Sequence, residues 1–331
     1  MIKSINWSNT EVLITGGTGT LGRELTRQLL TEYHPKGLRI FSRGEVKQYN
    51  MKQELQALGL LGGVAFLIGD VRDQQRVEMA MRGVHVVIHT AAIKQIPVAE
   101  DNPLETIKTN VTGSQNVLQA ALGSKVRKVM LISTDKAVHP ANLYGASKMC
   151  AERLFVQGNV YSGGHEPYFS VCRYGNVMGS RGSVIPLFKQ QAKTGAITIT
   201  DKLMSRFWIT IRDAARFILN KVEVMRGGEI FVPKLPSCYV SDIAVAVAPG
   251  AALEEIGVRP GEKLHECLIS EEESRDVVEH PDCYVVMPPS EHLLYGQWKP
   301  FIYDSENNPR KITDIGEIRD LIGEQNDIQN G

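Results

Sequence analysis

The sequence predicts an α/β fold in which a doubly wound parallel sheet is joined to a smaller C-terminal domain. Short apolar runs of strand length recur through the first half of the chain, and longer amphipathic stretches with helical spacing separate them. Strands that alternate with helices in this way favour a parallel sheet covered by helices on both faces. The length of 331 residues exceeds what a single hydrophobic core usually fills, which predicts a second, smaller unit.

Six short apolar runs supply the predicted strands of this sheet. They are Val12–Thr15, Leu38–Phe41, Val64–Ile68, Val84–His89, Val129–Ile132 and Phe169–Cys172. Amphipathic helices are predicted between them, most clearly over Leu21–Leu30 and Thr106–Leu122. Later in the chain, Arg212–Glu223 is predicted to return a helix to the large domain, and Gly227–Val232 a strand.

The pattern changes after Asn176, where glycine and proline become frequent and the strands and helices are short and mixed. We therefore predict a division of the chain into a large domain, a smaller domain and a C-terminal extension whose last residues, from Glu324, fray. The predicted segments are 1–178 with returning segments at about 207–233 for the large domain, 179–206 and 234–305 for most of the smaller domain, and 306–331 for a C-terminal helix and tail.

Composition and charge exclude several classes of protein. The 37 basic residues balance 37 acidic ones, so no net positive field attracts nucleic acid or an anionic membrane surface. No apolar run approaches the ~20 residues that cross a bilayer, and Met1–Asn9 is too polar for a signal peptide. The five cysteines are scattered without a Cys-x-x-Cys pair, which predicts neither a metal site nor disulfides and favours a reducing cytoplasm.

The run Thr15–Gly22 places three glycines at three-residue intervals between a strand and a helix. Such glycines allow a tight turn and the close approach of a pyrophosphate, and the start of the helix offers free N–H groups. The alternative is a tight turn with no ligand, but the strand–turn–helix context favours a Rossmann-type dinucleotide site. The predicted contacts in this turn are Gly16, Thr18, Gly19, Thr20, Leu21 and Gly22.

The ends of the next two strands predict which dinucleotide binds. Where an NAD site usually carries an acidic residue, this chain has Ser42 and Arg43, and the arginine fork suits a 2′-phosphate. Ser42 and Lys47 are predicted to add contacts, so the predicted cofactor is NADP. Asp70, followed by Val71, is predicted to meet the adenine edge or else to cap the next helix. The alternative for Arg43 is a solvated loop residue.

A tyrosine and a lysine four residues apart, Tyr144 and Lys148, follow the strand Val129–Ile132. At this spacing the two side chains share one face of a helix. A free phenol titrates near ~10, too high for a base at neutral pH, but a neighbouring ammonium favours the phenolate. The pair is therefore predicted to contact the cofactor and to take the proton of an alcohol as a general base. The alternative is a surface helix pair, which the preceding glycine turn disfavours.

Further motifs carry a family resemblance. They are Arg173-Tyr-Gly-Asn-Val177, Gly179-Ser-Arg-Gly-Ser183, Arg206-Phe-Trp-Ile209 and Arg259-Pro-Gly-Glu-Lys263. Over nearly the whole chain the sequence resembles the soluble UDP-N-acetylglucosamine 4,6-dehydratases of the extended short-chain dehydrogenase/reductase superfamily. Other members of the wider family carry Met where this chain has Tyr144, and most of those are membrane-linked or retain the configuration at C5. The tyrosine therefore favours the inverting branch, which starts the pathway to pseudaminic acid, a bacterial surface or flagellar sugar. The resemblance implies a C-terminal domain that binds a UDP-linked N-acetylhexosamine, and a homo-oligomer, either a dimer or a hexamer.

The resemblance implies a dehydration with internal redox at the sugar. Tyr144 takes the proton of the 4-hydroxyl while NADP+ takes hydride from C4, and Thr134 hydrogen-bonds the same hydroxyl. Lys136 then removes the C5 proton, Asp135 gives a proton to the leaving C6 oxygen, and the hydride returns to C6. A lysine can act as a base if desolvation or a nearby cation depresses its pKa. The alternative for Lys136 is an exposed loop lysine.

The resemblance also implies contacts near the fourth strand and in the smaller domain. Ala91 is expected at the cofactor, while Thr90 and Gln95 depart from the family pattern and leave the exact substrate open. The residues expected to bind substrate are Lys94, Asn176, Arg181, Arg206 and Arg259. Arginines suit a diphosphate because they bind phosphate oxygens with two parallel hydrogen bonds. The alternative for each of these residues is a surface position.

Three other functions stay open at this point. A nucleotide-sugar epimerase would use the same Tyr144 and Lys148 and oxidise C4 without losing water, but it would have no need of Asp135 and Lys136. A C5-retaining dehydratase would differ only in stereochemistry. A non-catalytic NADP-sensing protein would have no need of the proton-transfer groups. A 4-keto-6-deoxy product would exclude the epimerase, and any turnover of a UDP-sugar would exclude the sensor. NMR of the product made in deuterated water would distinguish inversion from retention at C5.

Overall fold

The computed structural model describes residues 5–179, 183–288 and 299–323. The strands of these residues are β1 (Glu11–Thr15), β2 (Gly37–Ser42), β3 (Val64–Ile68), β4 (Val86–His89), β5 (Lys128–Thr134), β6 (Tyr168–Tyr174), β7 (Asn176–Val177), β8 (Ala196–Ile199), β9 (Ser205–Ile209), β10 (Ile230–Pro233), β11 (Ser237–Tyr239), β12 (Ala252–Glu255), β13 (Cys267–Ile269), β14 (Val277–Glu279), β15 (Cys283–Val286) and β16 (Tyr303–Asp304). The helices are α1 (Thr20–Gln28), α2 (Glu45–Ala57), α3 (Gln74–Met81), α4 (Ile96–Asp101), α5 (Pro103–Ile107), α6 (Gly113–Leu122), α7 (Leu143–Gly158), α8 (Val184–Gln191), α9 (Ile211–Val224), α10 (Val240–Val247) and α11 (Ile315–Gly323). Within these ranges, no helix is long and apolar enough to cross a membrane.

A nine-stranded sheet forms the centre of the described structure, in the order β14-β15-β10-β6-β5-β4-β1-β2-β3. The strands from β3 to β10 run parallel, and β15 pairs antiparallel with β10 at one side. Strands β4 and β5 are buried along their whole length. Helices cover both faces of such a sheet, which explains the unbroken apolar runs in the sequence. The predicted α/β fold is confirmed, and all six predicted strands are present.

The sheet reverses its strand order between β1 and β4. Strands β2 and β3 extend from one side of β1, whereas β4, β5 and β6 extend from the other. The connections that leave the carboxyl ends of β1 and β4 therefore diverge and leave a crevice between them, which is where ligands bind in sheets of this kind. Thr15 at the end of β1 is paired with His89 at the end of β4, so both lie at the base of this crevice.

Part of the predicted smaller domain joins the large sheet instead. The sequence assigns 234–305 mainly to the smaller domain, but β15 lies within that range and pairs with β10, with Cys283 opposite Pro233. Strand β14 pairs in turn with β15, and side chains of β13, β15 and β16 enter the larger hydrophobic core. That part of the prediction is wrong because strands of two to four residues carry too little periodicity to be assigned to a sheet.

A second hydrophobic core is built from α8, β8, β9, α10 and α11. Strand β9 contributes to both cores, because Trp208 points into the second while Phe207 and Ile209 point into the first. This alternation follows from the two-residue period of side chains along a strand. Helix α11, which lies in the predicted C-terminal extension, packs on α10. The predicted fraying of Glu324–Gly331 lies outside the described residues.

The predicted helix Thr106–Leu122 is interrupted by the π-helical turn Lys108–Thr112, which joins α5 to α6. Asn110 in this turn donates hydrogen bonds of 2.9 Å to the carbonyl of Ile93 and to Ser147 Oγ. Its side-chain oxygen accepts a bond of 2.8 Å from the Ile93 N–H. Asn110 therefore fixes the segment after β4 against α7, a tertiary demand that an amphipathic pattern cannot reveal.

Arg173 on β6 anchors α7 through a buried ionic network. It donates to both carboxylate oxygens of Glu152 on α7, at 3.0 and 2.6 Å. It also donates to both oxygens of Glu273, each at 2.8 Å, and to the carbonyl of Leu268. The Arg173 side chain is 2 % exposed, so the guanidinium and its two carboxylates depend on one another for solvation.

We predict that Arg173→Met destabilises the fold by about 3–5 kcal/mol, because it leaves the buried carboxylate of Glu152 and the partly buried one of Glu273 without this cation. Urea unfolding followed by circular dichroism measures this change in the free energy of unfolding. Arg212→Met, at an exposed position of α9, is the control and should unfold like the wild type. Equal stabilities for the two variants would contradict the role given to this network.

Candidate active site

A cleft of about 980 Å³ opens at the carboxyl edge of the large sheet. Every described residue that the sequence predicts for cofactor or substrate binding lines it. The predicted cofactor residues that do so are Gly16, Thr18, Gly19, Thr20, Leu21, Gly22, Ser42, Arg43, Lys47, Asp70, Val71, Ala91, Tyr144 and Lys148. The predicted substrate residues that do so are Lys94, Asn176, Arg206 and Arg259. Arg181 lies outside the described residues.

The glycine turn forms a narrow cradle at the base of the cleft. Gly16 has a φ of +68°, and a Cβ there would meet the backbone nitrogen of Ala91 at 2.8 Å. A Cβ on Gly22 would meet the backbone of Gly17 at 2.5 Å. Helix α1 starts after Gly19 with no side-chain cap, so its first N–H groups are available to an anion. The cradle therefore fits the diphosphate of a nicotinamide dinucleotide.

Arg43 lies at the far edge of this cradle and is available to a phosphate. Its side chain is 58 % exposed, and its Nη1 is 3.8 Å from Asp70 Oδ2. Asp70 is bound more closely by Arg72, which donates hydrogen bonds of 2.6 and 2.9 Å. Burial alone would raise the pKa of Asp70, but the Arg72 hydrogen bonds hold it below its usual range. Asp73, not Asp70, caps the next helix.

A buried histidine joins the strand ends beneath the crevice. His89 hydrogen-bonds Thr15 Oγ1 at 2.6 Å and Ser114 Oγ at 3.1 Å. Burial lowers the pKa of His89 to about 3, and the positive charge of Lys148 adds to this effect. The neutral imidazole thus connects β1, β4 and α6, and so fixes the ends of the strands that carry the glycine turn and Ala91.

Tyr144 and Lys148 reach the cleft from the first turns of α7. Asn142 caps this helix by accepting a hydrogen bond of 2.8 Å from the Gly145 N–H. A Cβ on Gly145 would meet the carbonyl oxygen of Lys136 at 2.1 Å, so only glycine lets α7 start against the turn that follows β5. Both side chains of the predicted pair therefore lie near the turn that carries Lys136.

The surroundings of Tyr144 differ from those predicted. Burial raises the pKa of the phenol to about 12, and the positive charge of Lys136 together with the nearby Thr134 hydroxyl opposes this rise. Lys148 is itself buried, and its burial lowers its own pKa to about 8, although Glu152 acts in the opposite direction. Lys136 and Thr134 are therefore the main groups that favour the phenolate, and a contribution from Lys148 stays a prediction.

Lys136 is held between two buried carboxylates at the wall of the cleft. Its Nζ is 3.1 Å from Asp135 Oδ1 and 3.2 Å from Glu266 Oε1, and it donates to Asn176 Oδ1 at 3.5 Å. Thr134 donates a hydrogen bond of 2.9 Å to the same Asp135 oxygen. The Lys136 side chain is 17 % exposed and the two carboxylates 0 % and 2 %, so the alternative of an exposed loop lysine is wrong.

The charges in this cluster shift the pKa values of its members. Burial alone would lower the pKa of Lys136, but Asp135 and Glu266 raise it above its usual range. Burial raises the pKa of Asp135, and Lys136 offsets this only in part. The depressed Lys136 pKa that the resemblance implies is therefore not found, because two carboxylates flank the amine.

Asp135 does not line the cleft. It is completely buried behind Thr134 and Lys136, which do line it. Its Oδ2 has no hydrogen-bond partner among the described residues, while its Oδ1 is shared by Thr134 and Lys136. The predicted direct access of Asp135 to a substrate is not found, since these two side chains cover the carboxyl group.

Two members of the cluster, Glu266 and Lys263, are absent from the residues that the sequence predicts. Glu266 forms ion pairs with Lys263 at 3.0 Å and with Arg206 at 3.9 Å, besides that with Lys136. Burial alone would raise the pKa of Glu266, but these three cations lower it to about 2. The sequence indicates these two residues only weakly. Lys263 is the last residue of the motif that begins at Arg259, and Glu266 follows that motif in a loop.

Arg206 has a different set of partners from the predicted phosphate. Its guanidinium donates hydrogen bonds of 3.0 and 2.9 Å to the carbonyls of Leu264 and Lys263. It is 6 % exposed. These bonds hold the segment that carries Glu266, and phosphate binding by Arg206 stays a prediction.

The other predicted substrate residues have few competing partners. Burial lowers the pKa of Lys94, which follows β4 at the cleft wall. Arg259 is 55 % exposed and its Nη1 is 3.9 Å from Glu262 Oε1. Asn176 lies on the two-residue strand β7 next to Lys136. Each of these side chains is placed to meet a ligand in the cleft.

Comparison with known proteins identifies the family. A family model described as polysaccharide biosynthesis protein matches residues 12–288, which is more than half of the chain. The chain belongs to this family. It is 46 % identical over 284 residues to a UDP-N-acetylglucosamine 4,6-dehydratase (inverting) of Campylobacter jejuni, and the match covers 85 % of this chain and 84 % of that protein. The resemblance that the motifs indicate is thereby confirmed.

Two further proteins show how far the similarity extends. A protein of Rickettsia prowazekii named UDP-glucose 4-epimerase is 43 % identical over 327 residues, with 94 % of each chain covered. The solved structure of Pen from Bacillus thuringiensis has a TM-score of 0.89 and 38 % identity, and covers 97 % of this chain and 99 % of its own. The fold is therefore shared over the whole length, while the names of the relatives differ.

We predict that Gly22→Ala weakens dinucleotide binding at least about fivefold. The added Cβ would collide with the Gly17 backbone and push α1 away from the turn, and such overpacking costs typically about 1–3 kcal/mol. Isothermal titration with NADP and NAD measures the loss. Gly123→Ala is the control, because a Cβ there meets nothing closer than 3.7 Å and the site is remote from the cleft. Unchanged affinity in Gly22→Ala would contradict the cradle.

Proposed function

We propose that the protein is an NADP-dependent UDP-N-acetylglucosamine 4,6-dehydratase that inverts the configuration at C5. The observation that carries this proposal is the contact of Asp135 with Lys136 at the cleft wall, next to Tyr144. Loss of water from C5 and C6 needs a base and a proton source close together, whereas oxidation of an alcohol needs only a group such as Tyr144. The Campylobacter relative, named for this activity, supports the same assignment.

The cofactor residues form two groups in this proposal. The glycine turn and the start of α1 would hold the diphosphate, and Arg43, with Ser42 and Lys47 beside it, would hold the 2′-phosphate of NADP. When bound, NADP supplies the acceptor for hydride from C4 and the donor that returns it to C6. The cycle has no net redox change, so turnover requires no added oxidant.

Tyr144 takes the proton of the sugar 4-hydroxyl in the first half of the reaction. Its phenol must be deprotonated to do so, and burial opposes this. The positive charge of Lys136 and the nearby Thr134 hydroxyl favour the phenolate. Lys148, one helical turn further along α7, is buried in the same wall and adds a second group that can carry positive charge there.

Elimination uses the pair of Asp135 and Lys136. Transfer of a proton from Lys136 Nζ to Asp135 Oδ1, over 3.1 Å, produces a neutral amine and a protonated carboxyl together. The amine removes the C5 proton, which the neighbouring 4-ketone has acidified. The C6 oxygen takes a proton from the Thr134 hydroxyl, which regains one from Asp135 behind it, and leaves as water. The sugar thereby loses one hydrogen from C5 and one hydroxyl from C6.

A nucleotide-sugar 4-epimerase is the second candidate, favoured by the name of the Rickettsia relative. An epimerase would use the glycine turn, Tyr144 and Lys148 in the same way. It would leave the buried pair of Asp135 and Lys136 without a chemical task, although a buried ion pair is costly to keep. The two candidates therefore differ in what the loss of the Lys136 amine would do.

We predict that Lys136→Ala stops elimination, whereas oxidation at C4 continues at a reduced rate because a positive charge that favours the Tyr144 phenolate is lost. Dehydrated product should form about 10²–10⁴-fold more slowly, the usual contribution of a general base. The enzyme should instead accumulate reduced cofactor and a 4-keto sugar, visible as near-ultraviolet absorbance. Lys52→Ala, at an exposed position of α2, is the matched control. Normal release of dehydrated product by Lys136→Ala would show that another group removes the C5 proton, whereas a 4-epimer as the wild-type product would favour the epimerase.

We also predict that Arg43→Asp reverses the preference for NADP. The loss of charge-assisted hydrogen bonds to the 2′-phosphate, worth about 1.5–3 kcal/mol, should weaken NADP binding about tenfold to a hundredfold while NAD binding changes little. Fluorescence titration of both dinucleotides measures the two affinities. Arg82→Asp, an exposed residue outside the cleft, makes the same change of charge as a control. An equal loss of both affinities would contradict the assignment of Arg43.

A further inference from the structure

Glu266 takes no part in the proton transfers proposed above, yet it contacts Lys136 almost as closely as Asp135 does. The two distances to Lys136 Nζ are 3.2 Å from Glu266 and 3.1 Å from Asp135. Glu266 comes from the loop before β13, far along the chain from β5, and it is 2 % exposed. Burial of a carboxylate is unfavourable unless cations pair with it. The position of Glu266 beside the Lys136 amine is therefore stable only because cations surround it.

The two oxygens of Glu266 have different tasks. Oε1 faces Lys136 and, at 3.9 Å, the guanidinium of Arg206. Oε2 is 3.0 Å from Lys263 Nζ, and that ammonium also donates to the carbonyl of Val138 at 2.9 Å. Lys263 therefore links the Glu266 carboxylate to Val138, which follows the Asp135–Ala137 turn. The other oxygen, Oε1, faces the Lys136 amine.

The charged and titratable groups around Lys136 come from four parts of the chain. Asp135 lies in its own turn, Glu266 in the loop before β13, Arg206 on β9 and Tyr144 on α7. Asn176 on β7 adds a neutral acceptor. The two carboxylates favour the ammonium form of Lys136, and Arg206 opposes it.

We propose that Glu266 is a positioning residue for the elimination step. It holds the Lys136 amine at the cleft wall and sets the pH range in which the Asp135–Lys136 pair carries one transferable proton. This inference rests on the proposed function, because it concerns the base of the dehydration. It adds a residue that acts through Lys136 and needs no contact with the sugar.

The proposal predicts a particular dependence of elimination on pH. The Asp135–Lys136 pair is active when it carries one transferable proton. With two such protons no amine is free to act as the base, and with none there is no acid, so the rate of elimination has a bell-shaped dependence on pH. At each limb of this pH profile, the negative charge of Glu266 stabilises the form of the Asp135–Lys136 pair that carries more protons. Its removal should therefore move both limbs to lower pH. A charge at this distance moves a pKa by typically about 1–3 units, so we expect a shift of at least about one pH unit.

Glu266→Gln tests this, because it keeps the size of the side chain and removes its charge. Single-turnover formation of the 4-keto-6-deoxy product from UDP-N-acetylglucosamine is followed against pH on the cofactor-loaded enzyme. Near-ultraviolet absorbance of the reduced cofactor reports the preceding oxidation in the same samples. We expect both limbs of elimination to move down, and the pH dependence of oxidation to move in the same direction by less, because Glu266 also raises the pKa of Tyr144 but is only a minor cause there. Glu271→Gln, an exposed glutamate in the same part of the chain, is the control and should follow the wild type.

Coincident profiles for Glu266→Gln and the wild type overturn the proposal, as does an equal loss of oxidation and elimination at every pH. Glu266→Asp, which retains the charge, should restore the wild-type limbs. If Glu266→Gln does not fold, its combination with Lys263→Met removes a cation with the anion. A smaller shift in the same direction is then expected, because the lost cation partly offsets the lost anion, and unshifted limbs overturn the proposal. Wild-type enzyme that forms no 4-keto-6-deoxy product refutes the proposed function itself, before any variant is compared.

Discussion

Lys136 carries its amine between the carboxylates of Asp135 and Glu266, and both carboxylates are closed off from solvent. Charges in such a place are stable only when their partners are held at short distance. The acid–base site therefore forms only when three distant segments meet: the end of β5, the part of β9 that carries Arg206, and the loop before β13. Arg206 and Lys263 complete this arrangement by fixing the carboxylate of Glu266.

The two halves of the cleft are built in different ways. The dinucleotide half is local, because a strand, a glycine turn and a helix that follow one another in the chain form its cradle. The acid–base half is assembled from distant segments, and it depends on how α7 and the loop before β13 pack. Arg173 links α7 to the segment around β13, since it binds Glu152 on α7 and Glu273 just after β13. Stability and chemistry are thus linked through buried ion pairs.

What the sequence could predict follows the same division. Periodicity and the spacing of short motifs predict the sheet, the glycine turn and the Tyr144 helix, because each depends on residues close together in the chain. The pKa of Tyr144 depends on burial and on the charge of Lys136, so the spacing of Tyr144 and Lys148 alone does not determine it. Glu266 has no motif of its own, and Arg206 binds backbone carbonyls that no side-chain pattern shows. Asp135 precedes Lys136 in the sequence, but no local pattern shows that its carboxyl group is completely buried.

The most direct test of the account is the structure of the product made in deuterated water. Wild-type enzyme with its cofactor would be given UDP-N-acetylglucosamine, and the sugar product would be examined by NMR. If Lys136, held by Asp135 and Glu266, removes the C5 proton, the product is a 4-keto-6-deoxy sugar with solvent deuterium at C5 and the configuration there inverted. A 4-epimer that keeps its C6 hydroxyl and its original C5 proton would contradict the account, because no elimination would then pass through this cluster.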